Sequence, residues 1–401
     1  MQRRAHLVDL IVEGLDRYVA SLPPDGAIDE GYSYWWNGAC RTLEALDLLA
    51  HATRGALGGI PAGALRETVA FPHRMHLGGD WYLNHADGSA RPPAQQPWHV
   101  LHRAARGVGD AAAEAHAAAH RRPGAPIAHE DQGLGRLLRA LTDPAWIAAT
   151  PDSPPLLRDV WLASTQVLVA RTVAGSPTGL TLAVKGGHNG EHHNHDDVGS
   201  VMVALRGVPV LVDAGRPTYT AQTFGPDRYD IWTMQSTWHN VPEIRASAQG
   251  HGPHYAARDV SAVIDDTQAA LTLDLAAAYP RTDVRHWRRS ARLDRTTGRV
   301  TVSDSWALSA AGHDDAPTRI HVLAAGRVRV GPGYVEINAL DDAGTVILTW
   351  EPPDAPCTTT VRELNDPLLC DVWGDQLTRL DFDVTASGPV GTFVLTVEER
   401  Q

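Results

Sequence analysis

Apolar residues open the chain at helical spacing: Leu7, Leu10, Ile11, Leu15 and Val19 share one face of a 3.6-residue repeat. Pro23-Pro24-Asp-Gly26 ends that pattern, because proline lacks an amide hydrogen and glycine favours turns. A second helix is predicted through Ala39, Leu43, Leu46 and Leu49, and Ala-rich segments at 94–120 and 131–142 read as two more. The polar run Pro72-His-Arg-Met-His-Leu-Gly-Gly-Asp80 reads as a loop between them. Paired helices with loops at one end predict a helical bundle or an α/α toroid.

The pattern changes near Pro151-Asp-Ser-Pro-Pro155. Short alternating runs follow: Val160–Ala163, Gln166–Arg171, Leu180–Val184, Val198–Leu205 and Val208–Val212, then Val260–Ile264, Ala270–Leu275, Val300–Ser303, Ile320–Leu323, Thr345–Trp350 and Thr392–Val397. Gly, Pro, Asp and Asn separate them, which predicts a large antiparallel β-sandwich. The expected fold class is therefore α+β and multidomain. Residues 1–150 form the helical part and 156–401 the sandwich, with a Pro-rich boundary around 148–156.

Composition narrows the function. A length of 401 residues suits two domains, and 43% hydrophobic with 20% charged residues suits a soluble protein. A formal net charge of -12 argues against a general nucleic-acid binder. Lys185 is the only lysine, so positive charge is almost all arginine. That reflects codon preference, or a use for guanidinium groups that clamp carboxylates bidentately. Three cysteines, Cys40, Cys357 and Cys370, make no disulfide framework. No stretch is long enough to span a bilayer. Leu10-Ile-Val12 is too short for a secretory leader, so the chain as written reads as cytoplasmic, or as periplasmic or secreted if an upstream segment belongs to it.

The densest chemistry lies in Gly187-His-Asn-Gly-Glu-His-His-Asn-His-Asp-Asp-Val-Gly-Ser200, which runs into a hairpin turning at Arg206-Gly207. His195 precedes its first strand and Asp213 closes its second. Both reach the same end if Asp196–Ser200 curls back, since an extended chain would overshoot at about 3.3 Å per residue. With His239 returning to that edge, two imidazoles, a carboxylate and a water would make a tetrahedral zinc shell. His193 shares a face with His195 on extended chain, so a backbone twist is needed to send one to metal and the other to a cleft. Cupin-like metalloenzymes also use His-X-His, but the glutamate that follows there is missing: positions 199 and 200 are Gly and Ser. Trp81 and Trp238 suit either sugar stacking or a buried core. Asp80, Asn84, His85 and Asp87 form a polar loop that could line a groove.

Three blocks resemble the heparinase II/III-like polysaccharide lyases, a group that includes alginate and oligoalginate lyases. They are Glu30-Gly-Tyr-Ser-Tyr34-Trp35 with Gly38; His193-Asn-His-Asp-Asp-Val-Gly-Ser200 leading to Val212-Asp-Ala-Gly215; and Arg228-Tyr229 followed by Thr237-Trp-His-Asn240. The resemblance implies an α/α toroid, here partial, followed by an antiparallel sandwich. It implies β-elimination at a uronic acid: the C5 proton leaves, the C4–O bond breaks and an unsaturated sugar results. Carried over by position, Tyr34 and His193 are the catalytic pair, and His195, Asp213 and His239 hold one zinc ion. Arg228, Tyr229, Trp35, Asn194 and Asn240 are expected at the sugar. The implied partner is an acidic polysaccharide or oligosaccharide, and a homodimer is compatible with the pattern. The family also carries an Asn-His pair well upstream of its tyrosine, whereas the 33 residues before Tyr34 contain no Asn. The helical part therefore reads as N-terminally truncated, and the alternative function is a carbohydrate-binding relative without turnover. The acidic balance leans toward an unsulfated uronate polymer such as alginate or an exopolysaccharide.

Overall fold

Proline and glycine positions divide the chain into the elements seen in the computed structural model, which describes residues 2–57, 62–122, 124–129, 132–309 and 316–400. Two units result: a helical one, Met1–His76 with Pro92–Pro155, and a β unit, Leu77–Arg91 with Leu156–Gln401. Helices and large antiparallel sheets together make the α+β class.

In the helical unit the elements are Gln2–Ser21, Tyr32–Trp35, Ala39–Ala52, Ala62–Arg74, Trp98–Val108, Ala111–Ala119, Leu134–Leu141 and Pro144–Ala148. The Ala-rich stretch 94–120 is two helices, not one. Gly109 closes the first with φ 69°, and the Asp110 side chain accepts from the Ala113 amide to start the second. Pro72 and Arg74, expected in a loop, complete the helix Ala62–Arg74. The helix expected over 131–142 runs Leu134–Leu141, and residue 131 lies outside the described residues. Inside this unit His76 and His116 have ring centroids 5.0 Å apart, His116 and His120 5.3 Å, and His73 and His116 6.4 Å. The His120 ring stacks on Trp98 at 3.6 Å. Among the described residues no helix is long and apolar enough to cross a membrane.

The β unit holds two large antiparallel sheets among its described residues. One, of eight strands, runs Arg258–Ile264, Gln268–Asp274, Val284–Asp294, Arg299–Leu308, Val390–Glu399, Thr345–Glu351, Tyr334–Asn338 and Arg327–Gly331. The other runs Cys357–Glu363, Gln376–Asp383, Arg319–Ala324, Val208–Leu211, Val201–Leu205, Leu180–Lys185, Val167–Arg171 and Asp159–Leu162, with the short Pro242–Glu243 beside Arg319–Ala324. Period-two patterning decides which face is buried: Arg299–Leu308 alternates strictly between buried and more exposed positions. Leu182, Leu205 and Phe382 from one sheet and Leu271, Leu348 and Phe393 from the other belong to one buried cluster. Across neighbouring strands Trp287 and Trp306 stack at 4.8 Å within it.

Segment Leu77–Arg91, inside the range assigned to the helical part, is bound into the β unit. The buried Arg171 donates from Nη1 to Leu77 O at 2.9 Å, and Asn84 Nδ2 donates to Asp213 O at 3.0 Å. Trp81 settles as a structural residue, stacked on Trp373 at 5.7 Å with its indole N–H on Asp341 Oδ2 at 2.9 Å.

One polar strut crosses this core. Arg289 and Asp304 form a fully buried bidentate pair, 2.9 Å at each contact. Arg289 Nη1 then donates to Gly199 O at 2.9 Å and Asn240 O at 2.6 Å. Removing the guanidinium strands a buried carboxylate and two carbonyls. Arg289→Ala is expected to cost about 3–5 kcal/mol, read from the urea midpoint. A loss near zero would mean water replaces the strut.

Candidate functional site

The hairpin Val201–Leu205/Val208–Leu211 turns on Arg206 and Gly207, at φ 51° and 85°. Positive φ at both central residues matches the strand twist. Ahead of it, 196–200 curls: Asp197 N bonds to His195 O and Ser200 N to Asp197 O. Gly199 permits the curl at φ +86°, where an added Cβ would stand 2.6 Å from the Leu275 side chain. Buried Lys185 pins the same loop through Asp197 Oδ1 at 2.6 Å and Glu191 Oε2 at 3.0 Å. Gln249 adds two bonds to the Val198 backbone.

The curl brings His195, Asp213 and His239 together. One ligand atom from each lies within 4.8 Å of the others, and all three side chains are buried. Their donor atoms fit a cation better than they fit one another. Asp213 Oδ1 is taken by the Gly215 amide at 2.7 Å, leaving Oδ2 without a hydrogen bond. His239 Nδ1 sits 2.9 Å from Asp213 Oδ2, yet the two do not align as a hydrogen bond. His195 Nε2 meets Asp87 Oδ1 at 3.0 Å, and its Nδ1 is buried without a partner. A carboxylate on one ring nitrogen fixes the tautomer that offers the other to a metal. Burial works against charge on Asp213 and on His239. Their mutual attraction wins, holding the carboxyl below and the imidazole above their ordinary pKa values. Two His and one Asp suit zinc.

His193 takes a left-handed backbone, φ 52°, which supplies the twist that the His-X-His spacing required. It therefore parts from His195 and meets Asp87 Oδ2 through Nδ1 at 2.7 Å. That division also departs from a cupin set, since only one histidine of the pair joins the cage. Asp87 is the hub. Besides both histidines it receives Tyr219 OH at 2.7 Å and Arg228 Nη2 at 3.1 and 3.2 Å. Burial alone would raise its pKa. The hydrogen bonds from His193 and His195, with the electrostatic pull of His195 and Arg228, outweigh that and hold it ionised, well below the usual carboxylate range.

The other expected site residues divide. Arg228 is committed to Asp87, Asn194 O and Thr223 O, so it braces the loop. Asn194 donates to Tyr229 OH at 3.2 Å, and its Oδ1 is buried without a partner. Tyr229 stacks on His251 at 3.9 Å. Tyr34 lies in the short helix Tyr32–Trp35 of the helical unit. Two residues expected at the sugar are corrected. Trp35 is fully buried and spends its indole N–H on Thr68 O at 2.7 Å. Asn240 is buried and clamps the hairpin, donating to Val201 O and Val212 O and accepting from Leu323 N. Neither has surface for a ligand. Asp87 and Tyr219 were not singled out from sequence. The polar loop holding Asp87 was the available signal, and nothing local separated that aspartate from its neighbours.

No protein-family model matches this sequence, and no curated protein sequence matches it. Solved structures do match. A heparinase III with methylated lysines superposes with TM-score 0.67 at 13% identity, over 97% of this chain and 54% of that one. Heparan sulfate lyase HepC from Pedobacter heparinus gives 0.68 at 12%, over 96% and 55%. A further heparinase III gives 0.68 at 13%, over 96% and 56%. The chain thus spans just over half the length of these neighbours. At such identity the likeness is one of architecture: this chain shares the fold of heparinase III-type polysaccharide lyases.

Proposed function

We propose that the chain acts on uronic-acid-containing poly- or oligosaccharides as a β-eliminating lyase. The observation that carries this reading is the pairing of His193 with Asp87 beside the His195–Asp213–His239 cage, on a lyase fold.

Elimination needs a base at C5, an acid for the departing C4 oxygen, and positive charge or hydrogen bonds for the carboxylate as carbanion character grows. His193 fits the base. Ionised Asp87 accepts at Nδ1, which assigns the proton to that nitrogen and makes Nε2 the basic one. Asp87 also stabilises the imidazolium formed on proton uptake. Tyr219, hydrogen-bonded to the same carboxylate oxygen and 3.3 Å from His193 Nδ1, keeps the ring oriented. Tyr34 is proposed as the acid, on the strength of the motif that surrounds it. A zinc ion held by His195, Asp213 and His239 would cross-link three loop segments and keep both imidazoles neutral. We further propose an unsulfated uronate as substrate, since the net charge of -12 repels dense sulfate at long range.

The test is a panel of uronate polymers offered to zinc-loaded protein, followed by the ultraviolet absorbance of the unsaturated product. His193→Ala is expected to lower the rate about 10²–10⁴-fold, with Tyr34→Phe also strongly impaired. A folded, metal-loaded protein that releases no unsaturated product from any polymer defeats the reading.

A further inference from the structure

The segment leading from Arg228 to His239 carries two tryptophans that elimination does not use. Trp232 and Trp238 are half-buried and meet edge to face, centroids 5.1 Å apart. Over them lie two guanidinium groups. Arg362 stands 4.4 Å from the Trp232 ring centre and 4.9 Å from that of Trp238, and Arg379 stands 4.6 Å from Trp238. Strand alternation puts both arginines on one sheet face. Leu380 and Phe382 point into the core, so Arg379 points away, and Arg362 pairs with Leu377 two residues earlier on the same side.

The two arginines differ in their commitments. Arg379 donates from Nη1 to Thr237 O at 2.9 Å and from Nη2 to Asp381 Oδ2 at 3.1 Å, and is thereby ion-paired with Asp381. Arg362 has no carboxylate or carbonyl acceptor among the described residues. Burial and the neighbouring Arg379 charge both pull its pKa below the ordinary arginine value. A part-buried cation beside a second cation, with no anion to answer it, is costly unless something else supplies one. The indoles hold the guanidinium group against their rings, and its planar fork matches a carboxylate with two parallel bonds.

We propose that Trp232, Trp238, Arg362 and Arg379 form a binding subsite for a carboxylate of an acidic saccharide. The proposal rests on the reading of the substrate given above. Along the chain, segment 228–239 joins this cluster to Arg228, Tyr229 and His239 of the candidate centre.

Binding is measured by calorimetry at low ionic strength on His193→Ala protein, so that turnover does not consume the ligand. Unsulfated hexuronate oligomers, sulfated oligomers and neutral oligomers of equal length are compared. Arg362→Gln is expected to weaken uronate binding about tenfold or more. Arg362→Lys should fall between, keeping the charge but losing the fork. Neutral oligomers should not distinguish parent from variant. Arg362 lies on an edge strand, and thermal midpoints report whether each variant folds. If the Gln variant does not, the Lys variant decides. Equal uronate affinity in the folded variants overturns the proposal, as does Arg362-dependent binding of sulfated oligomers alone. Arg362-dependent binding without any unsaturated product from the parent would sink the lyase reading and leave the subsite. Cleavage indifferent to Arg362 would do the reverse.

Discussion

Asp87→Asn is expected to reduce turnover about a thousandfold and to weaken metal binding about ten- to a hundredfold. The substitution preserves shape and removes only charge and acceptor capacity. In the parent one carboxylate serves His193, His195, Tyr219 and Arg228 at once. An amide offers one acceptor oxygen and turns the other position into a donor. If it donates toward His193 Nδ1, the ring must shift its proton to Nε2, the nitrogen assigned as base. If it is turned the other way, His195 loses the partner that presents Nδ1 to the cation. Arg228 loses its counter-charge in either case. Rate and metal affinity are read separately, the second by competition with a chromophoric chelator, so the metal result stands whatever the substrate proves to be. A variant with parental values in both would show Asp87 to be a bystander.

Acid is expected to loosen the helical unit well before ordinary carboxylates titrate. Burial comes first among the causes that lower His73 and His99 to about 4 and His120 to about 3, and His116 falls well below its ordinary value. The surrounding charges are mixed. Asp110 and Glu67 favour protonation of His73 and Arg74 opposes it; Arg122 faces His120; Arg103, Arg136 and Arg139 oppose Asp143 around His99. An unfolded histidine titrates near 6.5. Between about pH 6.5 and 4 the unfolded chain therefore binds protons that the folded unit refuses. Stability is complete above that window and declines as pH falls through it. His73, His99 and His120 each forfeit on the order of 2 kcal/mol between pH 7 and pH 5, and His116 adds to the loss in the same direction. Urea unfolding at the two pH values measures it, with hydrogen exchange assigning the loss to the helical unit. Repeating the comparison in chelated protein separates it from departure of a cation held by His195 and His239. Equal midpoints at pH 7 and 5 would mean that the buried rings find proton-accepting partners on charging.

Local rules carried much of this fold. A period-two run marked the strand Thr345–Glu351, because one of its faces is buried and the next residue points the other way, whereas Leu180–Lys185 is buried on both faces. The hairpin at Arg206-Gly207 returned Asp213 beside the start of its first strand, across a bulge at Val203–Ala204, and the curl at 196–200 brought His195 to the same end. The break at Gly109-Asp110 was visible as residues but was lost inside an alanine-rich stretch. Helix propensity is a weak prior there, and the cap geometry decides.

The sequence by itself determined the order of helical and sandwich parts, the turn, and which imidazoles and carboxylates could reach one edge, because these follow from neighbours along the chain. Only the tertiary structure decided what each polar group spends its hydrogen bonds on. Asp87 stands 106 positions from His193 and becomes the hub only when Leu77–Arg91 is pinned to the β unit. Trp35 and Asn240 look like ligand contacts in a motif and prove to be packing and hairpin clamps, since their donors are met by Thr68 O, Val201 O and Val212 O. A side chain's type limits its chemistry, but whether it faces a ligand depends on acceptors supplied from distant chain, and no local pattern records those.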